Sequence, residues 1–253
     1  MNFRVLADDL VQWMRHYATQ AHADGFVVGL SGGIDSSVTA ALAVKAMGAD
    51  RTLGVLMPCH SQTQDAEYAQ EVANVLSIEV LTLPLGPTFD VLVDTLPSGP
   101  DIAYANVKPR LRMTALYFIA QTRGYLVAGT GNKPEIMVGY FTKYGDGGVD
   151  IEPLGELYKR EVKGLARILD IPEVIINRPP SAGLWPGQTD EEELGITYAE
   201  LDAILDALAT GDPSPAPEAT VERVRKMIAR SAHKRMPPPS FPVDRTSSRY
   251  TTL

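Results

Sequence analysis

The sequence predicts an α/β fold: a doubly wound, mostly parallel sheet with helices on both faces. Short apolar, β-branched runs alternate with longer stretches of helical apolar spacing. Strands separated by helices imply parallel pairing through right-handed crossovers. The length of 253 residues, 45% of them apolar, suits one large domain with a sizeable core.

The elements follow in order. In "MNFRVLADDLVQWMRHYATQAHADG", Asp8, Asp9, Arg15 and His16 break the apolar residues at helical spacing, which describes an amphipathic helix and not a signal peptide. Phe26–Leu30 reads as the first strand, and Ser36–Met47 as a helix that packs through Val38, Ala41, Leu42 and Val44. "RTLGVLMP" is a second strand stopped by Pro58. "TQDAEYAQEVANVLS" is a helix with Ala66, Ala69, Val72, Ala73 and Leu76 on one face. "IEVLTLPL" is a third strand, "NVKPRLRMTALYFIAQTRG" is helical from about Arg110, and "YLVAGT" is a fourth strand. The last third is irregular. "NRPPSAGLWPGQTDEEELG" has the length and composition of a functional lid or a disordered loop. "ATGDPSPAPEAT" connects two helical patterns, and the proline-rich tail "MPPPSFPVDRTSSRYTTL" is no regular helix. There is no internal repeat.

Composition excludes several classes. A net charge of −8 is wrong for a general binder of nucleic acid or anionic membrane. The single cysteine, Cys59, permits no intramolecular disulfide and no cysteine metal cage, and fits a reducing cytoplasm. No run approaches the roughly 18 apolar residues of a membrane span.

Ligands of doubly wound sheets bind beyond the carboxyl ends of the strands. "SGGIDSS", "PCHSQTQDAE" and "GTGNKPE" all lie there. The first has neither the lysine of a Walker A loop nor the spacing of a dinucleotide fingerprint. Gly32 and Gly33 let the backbone approach an anion, Ser31, Ser36 and Ser37 add hydroxyls, and the helix start adds partial positive charge. Asp35 is either a helix cap or a ligand of a cation lying between it and a phosphate, for which magnesium is suited.

This heptapeptide resembles the PP-loop of the N-type ATP pyrophosphatases, which cleave ATP to AMP and pyrophosphate in order to activate an oxygen. Residues 129–162, "GTGNKPEIMVGYFTKYGDGGVDIEPLGELYKREV", resemble the signature region of the NAD synthetase family, and "SAGLWPGQTDEEELGITYAELDAIL" and "HKRMPPPSF" resemble its lid and C-terminal end. The resemblance runs from about Phe26 to Phe241. It implies a Rossmann-like fold of the adenine nucleotide α-hydrolase type, with a core at about 20–170 and a lid and helical region at about 171–253 of a single domain spanning 1–253. It also implies adenylation of the nicotinate carboxylate of deamido-NAD, with Mg²⁺ as cofactor and ATP as co-substrate, followed by displacement of AMP by ammonia.

Site residues carry over position by position. ATP is expected at Gly29, Leu30, Ser31, Gly32, Gly33, Ile34, Asp35, Ser36, Thr130, Lys159 and Ser181, and the metal at Asp35 and Glu135. The resemblance gives Lys159 to the phosphates and Asp146 to the ammonia or ammonium, as catalytic residues. Deamido-NAD is expected at Arg110, Lys143, Asp150, His233 and Lys234, with Arg112 as the alternative arginine. Read without the resemblance, Glu135 is a solvated loop acid, Lys159 a surface helix lysine and Asp146 a turn acid. A homodimer with the dinucleotide site at its interface is implied as well. The pattern begins near residue 26, so a fused amidase is not expected and ammonia is the expected nitrogen donor. Competing readings are a GMP synthetase ATPase subunit, a tRNA-thiolating enzyme with cysteine pairs and a basic surface, and a non-catalytic ATP sensor.

Overall fold

The computed structural model describes residues 1–181, 183, 185 and 187–243. It begins with α1 (Phe3–Gln20), β1 (Gly25–Gly29), α2 (Ile34–Met47), β2 (Thr52–Leu56), α3 (Thr63–Leu76) and β3 (Glu79–Thr82). Helices α4 (Gly86–Thr95), α5 (Asp101–Ala105) and α6 (Val107–Arg123) lead to β4 (Tyr125–Val127). Then come α7 (Lys133–Val138), α8 (Lys159–Ile168), α9 (Glu173–Ile176), α10 (Asp190–Leu194), α11 (Tyr198–Thr210) and α12 (Glu218–Ser231).

The sheet order is β3-β2-β1-β4, and every pairing is parallel. Period-2 alternation splits β1 between two cores. Phe26 and Val28 face α1, α2, α3 and α8, while Val27, with Leu53, Val55 and Val127, packs against Ile119 and Ala120 of α6. Helices therefore cover both faces, as predicted. A third apolar cluster, including Leu201, Ile204 and Val224, joins α10, α11 and α12 to Val138 of α7 and Tyr158. The chain runs outward from β1 to β3 and returns to β4 on the other side of β1. The crevice between β1 and β4 is thus the topological switch point, where such sheets bind ligands.

Several boundaries differ from expectation. Helix α2 starts at Ile34, two residues early, because Ser36 and Ser37 hydroxyls both donate to the Gly33 carbonyl, at 3.0 and 2.8 Å. Helix α6 starts at Val107 instead of about Arg110. Pro109 falls in its first turn, where a missing N–H leaves no bond unmade. β4 has three residues, and the next residue, Ala128, donates its N–H to the Val27 carbonyl at 3.0 Å and also bridges Ile151. Helices α4 and α5 occupy a stretch in which no element is expected from periodicity. Residues 182, 184 and 186 of the expected lid and 244–253 of the tail lie outside the described residues.

Candidate active site

The turn after β1 is shaped for close backbone approach. Gly32 has φ +75°, and a Cβ there would lie 2.5 Å from the Asp65 carbonyl. The Ser31 hydroxyl accepts from the Gly33 N–H at 3.3 Å and lies 3.1 Å from the Ser36 hydroxyl. The three serines differ in role. Ser31 and Ser36 line the adjoining cavity of about 480 Å³, whereas Ser37 is buried and only braces the helix start. Gly29, Leu30, Gly33, Ile34 and Asp35 share that cavity with Thr130 and Ser181.

Asp35, in the first turn of α2, faces Glu135, in the first turn of α7. The turn "NKPE" forms a capping box: the Asn132 side chain accepts from the Glu135 N–H at 3.2 Å, and Glu135 Oε2 accepts from the Asn132 N–H at 3.3 Å. This leaves Glu135 Oε1 free to turn inward. Asn132 Nδ2 also donates to Asp35 Oδ1 at 2.9 Å. Lys159, the first residue of α8, sends Nζ between the two acids, 2.6 Å from Asp35 Oδ2 and 3.2 Å from Glu135 Oε1. Lys159 is 2% exposed, so the reading as a surface helix lysine is overturned. It belongs to the layer behind the cavity wall, beneath both carboxylates. Burial alone would depress its pKa, but Asp35 and Glu135 outweigh that and hold it above its usual value. Burial pushes the Glu135 carboxyl up, against the pull of Lys159.

Behind this trio lies a network that the sequence reading did not identify. The Tyr198 hydroxyl reaches Glu135 Oε1 at 2.8 Å and Asp190 Oδ2 at 3.0 Å. Tyr140 joins Asp190 to Glu193, at 3.1 and 2.8 Å. Arg178 donates to the Gly32 carbonyl at 3.3 Å and pairs with Asp65, tying the chain after α9 to the glycine turn and α3. In sequence, "TYAE" and "NKPE" show only as helix starts. Nothing in one dimension aims Tyr198 at Glu135, 63 positions away.

Asp146 also reaches the cavity. Its carboxylate accepts from the Thr142 N–H at 2.9 Å and is accessible from the cavity, while the surrounding protein raises its pKa. The residues expected to bind the dinucleotide divide into groups. Arg110 donates to the Lys143 carbonyl at 3.4 Å, and Lys143 Nζ donates to the His233 carbonyl at 2.6 Å, so these three form one patch outside the cavity. Lys234 lines the cavity, its Nζ bound to the Gly139 and Phe141 carbonyls at 2.7 and 2.8 Å. Asp150 stands apart. Its carboxylate accepts from the Val127 N–H at 2.8 Å and the Tyr117 hydroxyl at 3.1 Å, which locks β4 to α6. Arg112, and not Arg110, lines the cavity, held by the Met57 carbonyl at 3.2 Å and the Ser61 hydroxyl at 3.3 Å.

This geometry joins a glycine turn shaped for close backbone approach to two carboxylates that share one buried ammonium group. The family pattern described as NAD synthase matches residues 6–238. The chain belongs to the NAD synthase family. The relative named NH(3)-dependent NAD(+) synthetase from Carboxydothermus hydrogenoformans is 46% identical over 243 residues, covering 94% of this chain and 97% of that protein. The one from Archaeoglobus fulgidus is 46% identical over 241 residues, with the same coverage. Among solved structures, NMN synthetase from Francisella tularensis superposes with a TM-score of 0.88 at 40% identity, covering 95% of this chain and 98% of that one.

Proposed function

We infer that the chain is an ammonia-dependent NAD synthetase. It adenylates the nicotinate carboxylate of deamido-NAD with ATP, releases pyrophosphate, and lets ammonia displace AMP to give NAD. The observation that carries the reading is the convergence of Asp35, Glu135 and Lys159 beside the glycine turn, in a chain whose relatives of nearly equal length bear that activity in their names.

ATP would lie along Gly29–Ser36, Thr130 and Ser181, where the unpaired N–H groups at the start of α2 favour phosphate. Asp35 and Glu135 would hold Mg²⁺. The fit rests on their chemistry: two oxygen donors that both demand a cation, beside a site for phosphates that would complete the shell. When bound, the ion neutralises charge on the departing pyrophosphate. Lys159 fixes both carboxylates in place and adds positive charge where pyrophosphate leaves. Asp146 holds ammonia or ammonium near the adenylate. The patch of Arg110, Lys143 and His233, with Lys234 at the cavity, would neutralise the dinucleotide across a homodimer interface. Asp150 would serve that site by fixing β4.

Among the described residues, no helix is long and apolar enough to cross a membrane. A cytoplasmic setting is part of the proposal, as is the reading of the chain as a single NAD synthetase domain.

ATP, Mg²⁺, deamido-NAD and ammonium should yield NAD, AMP and pyrophosphate. ADP and phosphate, or ATP cleavage unaffected by deamido-NAD, would overturn the reading. The likeness to the Francisella NMN synthetase favours one other reading, in which nicotinate mononucleotide is the acid amidated. A kcat/KM comparison of the two acids decides between them.

A further inference from the structure

Helix α11 brings two buried side chains, Tyr198 and Asp202, to the centre formed by Asp35, Glu135 and Lys159. Residues four apart share one face of a helix, so both face the start of α8. The local sequence "GITYAELD" makes the presentation rigid. Thr197 and Glu200 form a capping box, in which the Thr197 hydroxyl accepts the Glu200 N–H and Glu200 Oε2 accepts the Thr197 N–H, both at 3.2 Å. The Tyr198 N–H donates to Glu191 Oε1 at 2.8 Å. Leu201, Ile204 and Leu205 then pack the helix against Val138 of α7 and against Tyr158, the residue before α8.

The two side chains hold Lys159 from opposite ends. The Asp202 carboxylate accepts the N–H groups of Lys159 and Arg160 at 3.2 and 3.0 Å, two of the donors that a helix start leaves open. It thereby fixes the backbone from which the lysine projects. The Tyr198 ring faces the far end of the same side chain, with Lys159 Nζ 4.6 Å from the ring centroid. From the rim of that ring the hydroxyl donates to Glu135 Oε1 at 2.8 Å. Asp190 Oδ2 lies 3.0 Å from the same hydroxyl, so two carboxylates share one hydrogen. A buried phenol needs one acceptor, and Asp190 alone would satisfy it. The shorter contact goes to Glu135. Its carboxylate is thus gripped at both oxygens, Oε1 by Lys159 and Tyr198 and Oε2 by the Asn132 N–H.

We propose that Tyr198 is a positioning residue, whose hydroxyl holds Glu135 in the orientation that takes up the metal ion. The proposal rests on the reading of Asp35 and Glu135 as the metal carboxylates given above. Tyr198 is not part of the cavity wall and acts through Glu135. Through it, the packing of α11 sets the aim of a carboxylate on α7.

The test is Tyr198→Phe, which removes the hydroxyl and keeps the ring against Lys159. Binding of α,β-methylene-ATP, which cannot be cleaved between those two phosphates, is measured by calorimetry with saturating Mn²⁺ and again with EDTA. The variant should bind the Mn²⁺-loaded analogue roughly ten-fold more weakly than wild type, the range of a lost hydrogen bond to a charged group. Its affinity for the metal-free analogue should match that of wild type, because the glycine turn is untouched. In a Glu135→Gln background, Tyr198→Phe should weaken binding of the Mn²⁺-loaded analogue no further, since both changes remove one shared interaction. Equal weakening with and without metal would make Tyr198 a packing residue only and overturn the proposal. An undiminished effect in the Glu135→Gln background overturns it too, as does wild-type affinity of Tyr198→Phe for the Mn²⁺-loaded analogue. A wild type that gains no affinity from Mn²⁺ overturns the metal reading and this inference together. A wild type that gains it but forms no NAD counts against the proposed reaction alone.

Discussion

At the scale of single residues, the centre of the molecule is an exchange of charge. Asp35 and Glu135 repel each other, and Lys159 is the positive group that makes both tolerable. Asp35→Asn should leave the fold intact and lower Mg²⁺-dependent pyrophosphate release roughly 10²–10³-fold, the cost of removing one preorganised electrostatic group. Release at the wild-type rate would reduce Asp35 to a helix cap. Lys159→Met leaves two half-buried acids without a positive partner and should cost about 3 kcal/mol in denaturant unfolding. Glu152, which accepts the Gly131 N–H at 3.1 Å, carries a pH signature. Its folded pKa, raised to about 8, lies above the ordinary carboxyl value of 4.5, so the folded state binds the proton more tightly than the unfolded one. Its contribution to stability is therefore full below about 4.5 and is lost as pH rises to about 8. Relative to Glu152→Gln, wild type should lose about 1–3 kcal/mol across that interval, a range reduced because the residue is partly exposed. Thermal unfolding of both proteins at several pH values checks the sign.

At the scale of elements, the site depends on where helices begin. α2, α7 and α8 each present an ionisable side chain from the first turn: Asp35, Glu135 and Lys159. Helix starts suit this work because side-chain and backbone bonds at the caps fix the first turn. The turn before α2 is constrained further by φ +75° at Gly32 and by the Asp65 carbonyl 2.5 Å from a Cβ there. Gly32→Ala should cost about 1–3 kcal/mol and weaken ATP binding, measurable by thermal unfolding with and without nucleotide. Much of this scale was legible in the sequence. β1 and β2 follow from short apolar runs buried on both faces, β3 from a similar run at the exposed sheet edge, α1 and α3 from an apolar stripe at helical spacing, and α2 from an apolar stretch buried nearly all round. The helices α4 and α5 were not legible, since they are short or half-exposed and carry little periodic signal.

At the scale of the whole molecule, the strand order brings the turns after β1 and β4 to one crevice, and α10 and α11 back it from the far end of the chain. The outer face of α4–α6 carries apolar side chains in the open, among them Val91 at 68% and Phe118 at 73% exposure. Exposure of that kind fits the proposed homodimer. Sedimentation should give twice the chain mass of 27.4 kDa. Phe118→Asp should shift the equilibrium toward monomer and raise KM for deamido-NAD more than KM for ATP. A monomeric wild type with full activity would remove the interface from the proposed site.

The sequence by itself determined the α/β class, the glycine-serine turn after the first strand and the family, because these are written in local periodicity and in contiguous motifs. It pointed to Glu135 and Lys159 only through the resemblance, since taken alone they read as a loop acid and a surface lysine, whereas Asp35 already read as a helix cap or a cation ligand. Tertiary structure decided that Lys159 is buried beneath both acids, that Arg112 and not Arg110 reaches the cavity, and that Asp150 braces β4. It also decided that Glu152 is left without a positive partner. The reason is physical: charge, burial and hydrogen-bond satisfaction depend on which groups the fold brings together, and the groups that settle them here lie up to 124 positions apart.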